Sequence, residues 1–141
     1  MRELMARRKI EFSDTDMGGV VHFSRFFVFM ETAEDQFLRA LGSAFSFQHE
    51  GSPGGWPKAA ASCEYLAPLR YGDEVEVHLM VTKVTRSTIT YEFAFIRGET
   101  RVARGRTTSV CCAIRDGGKL QPVPIPAALA KRIQESLPAG D

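Results

Sequence analysis

One long stretch of helical period, followed almost entirely by strand-like alternation, constrains what this chain can fold into. Phe23, Phe26, Phe27, Met30, Ala33, Phe37, Leu38 and Leu41 recur at steps of three and four, the spacing that gathers side chains on one face of an α-helix. A helix from about Phe23 to Leu41 would run about 28 Å. Gly42 stands just past its end, where glycine commonly closes a helix. Val28 and Phe29 widen the apolar surface, so burial on more than one side is expected.

Beyond residue 57 the period changes from helical to two. Ala59 to Tyr65 reads as a strand. Val75, Val77, Leu79 and Val81 alternate, as do Ile89, Tyr91, Phe93 and Phe95, and again Thr108, Val110, Cys112 and Ile114. Arg97-Gly98-Glu99 and Asp116-Gly117-Gly118 supply turns, and Glu50 to Pro57 reads as a loop by its glycine and proline density. An earlier strand is expected over Arg8 to Phe12, with Ile10 and Phe12 on one face. A short helix is expected over about Ala127 to Leu137, after the proline-rich QPVPIP stretch. One buried helix against one curved antiparallel sheet is the economical packing for this order, giving an α+β chain.

With 141 residues, of which 44% are hydrophobic, one domain with a real core is expected over residues 1–141. Eighteen Lys and Arg against 17 Asp and Glu leave a formal charge of +1. That balance argues against a dedicated nucleic-acid binder and against an acidic disordered tail. Cys63, Cys111 and Cys112 are odd in number and lack C-x-x-C spacing, so buried reduced thiols are expected, with the adjacent pair on opposite faces if both lie on one strand. Three scattered histidines, His22, His49 and His78, offer no metal set. The charged start MRELMARRKIEF has no apolar core of a signal peptide, and no apolar run nears the ~20 residues of a membrane span. A cytoplasmic protein is expected.

The chemistry concentrates in Phe12-Ser13-Asp14-Thr15-Asp16-Met17-Gly18-Gly19-Val20-Val21-His22-Phe23. Asp14 and Asp16 would lie on the same side of an extended chain. Charges so close should raise one pKa unless donors compensate. Two glycines permit a tight turn. The long helix then begins, and its first N–H groups have no partner within it, which suits negative charge developing on an oxygen. A carboxylate, a tight turn and a helix N-terminus are the parts of an acyl-transfer site. Asp and Gly also cluster in ordinary turns, and the residues alone leave that alternative open.

The pattern Asp14-x-Asp16-x-x-Gly19-x-Val21, followed by Phe23-Ser24-Arg25-Phe26-Phe27 and Met30-Glu31, resembles the hotdog-fold thioesterases of the 4-hydroxybenzoyl-CoA thioesterase and acyl-CoA thioesterase type. A second feature of that family, Tyr-x-x-Pro-x-x-Tyr-Gly-Asp, matches Tyr65 to Asp73, and a basic-plus-hydroxyl step matches Arg86-Ser87. Element order agrees over about residues 6–115.

The resemblance implies a hotdog fold, a long central helix wrapped by a curved antiparallel sheet, and hydrolysis of acyl-CoA thioesters. It places Asp16 as catalytic nucleophile or general base and the backbone N–H of Phe23 as oxyanion donor. Asp14 and Gly19 would support that loop. Arg86 and Ser87 would lie near the coenzyme A phosphates; the segment Arg86 to Arg106 carries five arginines against Glu92 and Glu99. No cofactor is implied beyond the coenzyme A of the substrate. Relatives often place Tyr-His after Val-Val, whereas here the order is His22-Phe23, so His22 would line the acyl pocket instead of assisting the chemistry. Glu31 is the competing acid, as a catalyst or as a buried group orienting the Asp16 loop. Trp56 and Phe45 to Phe47 could close over an acyl chain. Family members join sheets into a homodimer or homotetramer, with the site between subunits. The rival functions are a hotdog hydratase or dehydratase using Asp16 and His22, and a non-catalytic acyl-CoA-binding module.

Overall fold

Alternating burial along two strands forms the floor of the molecule. In the computed structural model, which describes residues 2–135, β5 (Glu74–Val84) turns Val75, Val77, Leu79 and Val81 inward, and β6 (Thr88–Arg97) does the same with Ile89, Tyr91, Phe93 and Phe95. With β1 (Glu3–Lys9), β4 (Lys58–Tyr65) and β7 (Thr100–Val110) they make an antiparallel sheet of order β1-β5-β6-β7-β4. Four short strands, β2 (Phe47–His49), β3 (Ser52–Gly55), β8 (Cys112–Ile114) and β9 (Leu120–Pro122), form a second antiparallel sheet in that order.

The long helix α1 (Arg25–Ala40) packs on β1, β4 and β5. It buries Phe26, Phe29, Met30, Ala33, Phe37 and Leu38. Its C-terminus closes as expected: Gly42 is left-handed (φ 76°), with its N–H donating to Arg39 O at 3.0 Å and Ser43 N–H donating to Leu38 O at 2.8 Å, the Schellman arrangement. Val28, Glu31 and Thr32 remain exposed, so within this chain α1 buries one broad face, not several. Helix α2 (Ala127–Gln134) seats Leu129 and Ile133 in the core. The last residues of the expected terminal helix, 136 and 137, lie outside the described residues. Buried Val123, Ile125, Leu129 and Ile133 carry the core past residue 115.

Three sequence expectations are corrected. The first strand ends at Lys9, because Asp14 draws the chain into a 3-10 turn over Phe12–Asp14, leaving Ile10 buried and Phe12 exposed. Glu50 to Pro57 is largely a hairpin: Glu50 (φ 48°) and Gly51 (φ 82°) form the two-residue left-handed turn between β2 and β3. Gly54 in β3 lies under the Phe47 ring, where an added Cβ would come within 2.3 Å. The alternation Thr108 to Ile114 crosses from one sheet to the other, and the inward face of β7 is instead Ala103, Gly105, Thr107 and Ser109. The thiols of Cys111 and Cys112 are both buried, as expected, although Cys111 lies in the crossover and not on a strand, and burial pushes the Cys111 thiol up to about 11.

Candidate active site

Two aspartates of one motif are given opposite environments. Asp14 is fully buried. Its carboxylate accepts from Arg8 Nη2 at 3.0 Å to each oxygen, from Arg25 Nε at 3.0 Å and from the Glu11 N–H at 2.9 Å. It thereby ties β1, the 3-10 turn and the first turn of α1 together. Burial alone would raise its pKa, but the Glu11 N–H and the two guanidiniums outweigh burial and hold the carboxyl below its usual value. The repulsion expected between the pair is thus absorbed by donors.

Asp16 is exposed. The chain folds back around it: Asp16 N–H donates to Val20 O at 2.7 Å, and Gly19 (φ 83°) donates its N–H to Asp16 O at 3.1 Å. Its Oδ1 accepts from Gly18 N–H at 2.8 Å and Val20 N–H at 3.3 Å. Among the described residues Oδ2 has no hydrogen-bond donor, so one oxygen is fixed and the other is available.

Phe23 sits between this loop and α1, whose N-cap is Ser24. The His22 N–H donates to Asp14 O at 2.9 Å, and the Ser24 N–H donates to His22 Nδ1 at 3.2 Å. The Phe23 carbonyl accepts from the Tyr65 hydroxyl at 2.9 Å. Among the described residues the Phe23 N–H itself meets no acceptor, as an oxyanion donor requires. His22 is exposed, its Nδ1 engaged by Ser24 Oγ at 2.8 Å and its ring stacked on Phe23. It is not among the residues that line the two grooves beside Asp16.

Those two grooves share Asp16. One, of about 420 Å³, runs past Val20, Phe23, Phe26, Tyr65 and Pro68; the other, of about 560 Å³, is bounded by Phe12, Thr15, Met17, Gly19 and Tyr71. Tyr65 to Leu69 wall the first, and Tyr71 the second. Arg97 donates to Pro68 O and pairs with Asp73 at 3.5 Å, while Asp73 Oδ2 accepts from the Arg70 N–H at 2.8 Å.

Arg86 and Ser87 stand at the far tip of the β5–β6 hairpin, where their carbonyls accept from the N–H groups of Ile125 and Cys111. β5 separates them from the Asp16 end by about 35 Å at 3.3 Å per residue, so one chain does not bring them to Asp16. Glu31 is exposed beside Phe27 and Phe45, not a buried acid orienting the loop. The buried acid on α1 is Glu34, which accepts from Ser109 Oγ at 2.8 Å and pairs with Lys58 Nζ at 3.0 Å. Burial raises its pKa more than Lys58 lowers it. Sequence reasoning missed Glu34, although a carboxylate on the apolar stripe between Met30 and Phe37 was the available signal. Trp56 is buried against Phe47, and Phe45 lies under Lys58; these rings pack around the second sheet and the start of β4 rather than close over Asp16.

The exposed Asp16 carboxylate and Phe23, whose N–H is open, thus both border the groove of about 420 Å³ at the head of the main helix. The sequence model of the thioesterase-like superfamily matches residues 10–133, and the chain belongs to that family; it is a thioester hydrolase. It is 34% identical over 113 residues to a putative esterase of Aquifex aeolicus, covering 79% of this chain and 84% of that one. It is 31% identical over 123 residues to a 1,4-dihydroxy-2-naphthoyl-CoA hydrolase of Synechocystis, covering 84% and 87%. The crystal structure of Slr0204, a 1,4-dihydroxy-2-naphthoyl-CoA thioesterase from Synechocystis, superimposes with a TM-score of 0.82 at 23% identity, covering 95% of this chain and 97% of that one. The fold is the hotdog fold. Among the described residues no helix is long and apolar enough to cross a membrane.

Proposed function

We propose that the chain hydrolyses acyl-CoA thioesters to the free acid and coenzyme A, with Asp16 as the reacting carboxylate and the Phe23 N–H as oxyanion donor. The observation that carries this reading is the pairing of an available Asp16 oxygen with an unengaged N–H at one end of an apolar groove. As general base, Asp16 takes a proton from water while the hydroxide adds to the thioester carbonyl. The Phe23 N–H holds the resulting oxyanion, and collapse expels the thiolate, which takes the proton back. As nucleophile, Asp16 adds directly, expels the thiolate and leaves a mixed anhydride that water then opens. Both routes use the same two groups and need no cofactor besides the coenzyme A of the substrate.

Self-association as a homodimer or homotetramer belongs to the same reading. β4 is an edge of the main sheet, and its middle, Ala59 to Ser62, is exposed and uncharged. The opposite edge, β1, carries Glu3, Arg7, Arg8 and Lys9, the charges that guard an edge against pairing. A second copy joined along β4 would supply the coenzyme contacts at Arg86 and Ser87 that one chain leaves remote.

The test is Asp16→Asn, assayed by thiol release on short, long and aryl acyl-CoAs. Hydrolysis should be abolished with the fold retained. Turnover like that of the native chain would overturn the assignment.

A further inference from the structure

Consecutive backbone donors run from His22 to Arg25, and all but one are engaged. The His22 N–H donates to Asp14 O at 2.9 Å, the Ser24 N–H to His22 Nδ1 at 3.2 Å and the Arg25 N–H to His22 O at 2.9 Å. Within this run, only the Phe23 N–H meets no acceptor among the described residues. His22 takes part in each of the other bonds: its N–H, its ring nitrogen and its carbonyl each hold one neighbour. Its ring also lies on the Phe23 ring, with centroids 4.5 Å apart and planes 29° apart. His22 is not among the residues lining the grooves beside Asp16, so its route to the proposed reaction is through Phe23.

We infer that His22 is a positioning residue for the proposed reaction: its bare Nδ1 pins the Ser24 N–H and thereby aims the Phe23 N–H. The inference rests on the reading of Phe23 as oxyanion donor. An N–H can only donate, so Nδ1 must carry a lone pair, which puts the proton of the neutral ring on Nε2. The Ser24 hydroxyl, 2.8 Å from Nδ1, then donates to the same nitrogen. The loop closed by the Ser24 N–H bond runs through the His22–Phe23 peptide. That planar unit carries the Phe23 N–H, and the bond fixes the torsions on either side of it. An oxyanion donor contributes most when it is aimed beforehand, because no reorganisation is then needed at the moment of reaction. Without the bond the peptide plane rocks, and the loss falls on the transition state more than on substrate binding.

The test separates the ring's acceptor from the ring itself. His22→Phe keeps an aromatic ring for the stack and removes the acceptor. His22→Asn removes the ring but keeps an acceptor, Oδ1, in the place of Nδ1, where Asn commonly takes the N–H two residues on. His22→Phe should lower kcat on acyl-CoA thioesters by roughly 3- to 10-fold, one net hydrogen bond, with KM little changed. His22→Asn should hold kcat to within about twofold, as exchanges among side chains that cap a backbone N–H do. Equal losses in both variants, loss in neither, loss in His22→Asn alone, or a change confined to KM overturns the inference. Thermal melting checks that both variants stay folded. A second readout needs no substrate. Nitrogen NMR of the native protein in mildly basic solution, where imidazole is neutral, should show the His22 ring protonated on Nε2 and bare on Nδ1. The His22 signals are assigned by their loss in His22→Asn. A ring protonated on Nδ1 overturns the inference. Native-like turnover by Asp16→Asn overturns the proposed reaction instead, and the NMR result, which needs no turnover, keeps the two failures apart.

Discussion

The hydroxyl of Tyr65, at the end of β4, donates to the carbonyl oxygen of Phe23 across 2.9 Å. The edge strand therefore holds the residue whose N–H is the proposed oxyanion donor. Tyr65 belongs to the Tyr-x-x-Pro motif, and the structure gives that motif two tasks: walling the groove and steadying Phe23.

Replacing Tyr65 by Phe removes one hydrogen bond and almost no volume. Because the bond steadies a donor used most strongly in the transition state, kcat should fall by roughly 3- to 10-fold, the equivalent of a net hydrogen bond, while KM changes little. Steady-state kinetics alongside a melting curve check this. An unchanged kcat would show that Phe23 is held well enough by its other neighbours.

Asp14 should act through stability and show a distinct pH dependence. Its folded pKa lies below the usual 3.8, so its stabilisation is complete above that value and is lost as pH falls through the folded pKa. At neutral pH, Asp14→Asn should cost about 3 kcal/mol, because Arg8 and Arg25 lose their charged partner. The gap between variant and native chain should close only in acid, below the ordinary carboxylate range. Urea unfolding between pH 7 and pH 2 reads this directly.

Glu34 provides the opposite case. Its pKa is raised by burial, so protonation favours the folded state as pH falls from neutral. Glu34→Ala leaves Lys58 and Ser109 without their acceptor and should cost up to about 3–5 kcal/mol. The double change Glu34→Leu with Lys58→Met should recover most of that loss, because a packed apolar pair replaces a buried ionic one. Denaturant midpoints of the two variants settle the comparison.

The β4 edge can be tested with charge. Ala60→Lys with Ser62→Lys places two ammonium groups on an exposed, uncharged strand without entering the core. Light scattering should show monomers, and thiol release should fall with them if the site is shared between chains. A monomer with undiminished activity would place the whole site in one chain.

What could be read from the sequence followed the size of the inward side chains. β5 and β6 were legible because Val75, Val77, Leu79, Tyr91, Phe93 and Phe95 are large and apolar at every second position. β7 was misread because its inner face carries Gly105, Thr107 and Ser109, so hydropathy found the outer face. The start of β1 is not legible because its apolar residues, Leu4, Met5 and Ala6, are consecutive rather than alternating, and only Ala6 is buried. The Asp16 turn was legible because its bonds are local, between Asp16 and Val20. Glu34 was not, because its partner Ser109 lies 75 residues away, and no local period encodes such a contact.

The small inner face of β7 also sets the longitudinal position of α1. Met30 fills the hollow at Gly105, where an added Cβ would come 2.4 Å from its Sδ, and one turn further on Glu34 latches onto Ser109. A smooth apolar sheet would let a helix slide by a turn at little cost; a notch and a latch one turn apart do not. The head of α1, about 8 Å upstream of Met30 at 1.5 Å per residue, is thus indexed from the middle of the molecule. In the proposed reaction, alignment of Phe23 with Asp16 is then a gauge setting made in the core, and substitutions there should detune the enzyme without touching those two residues.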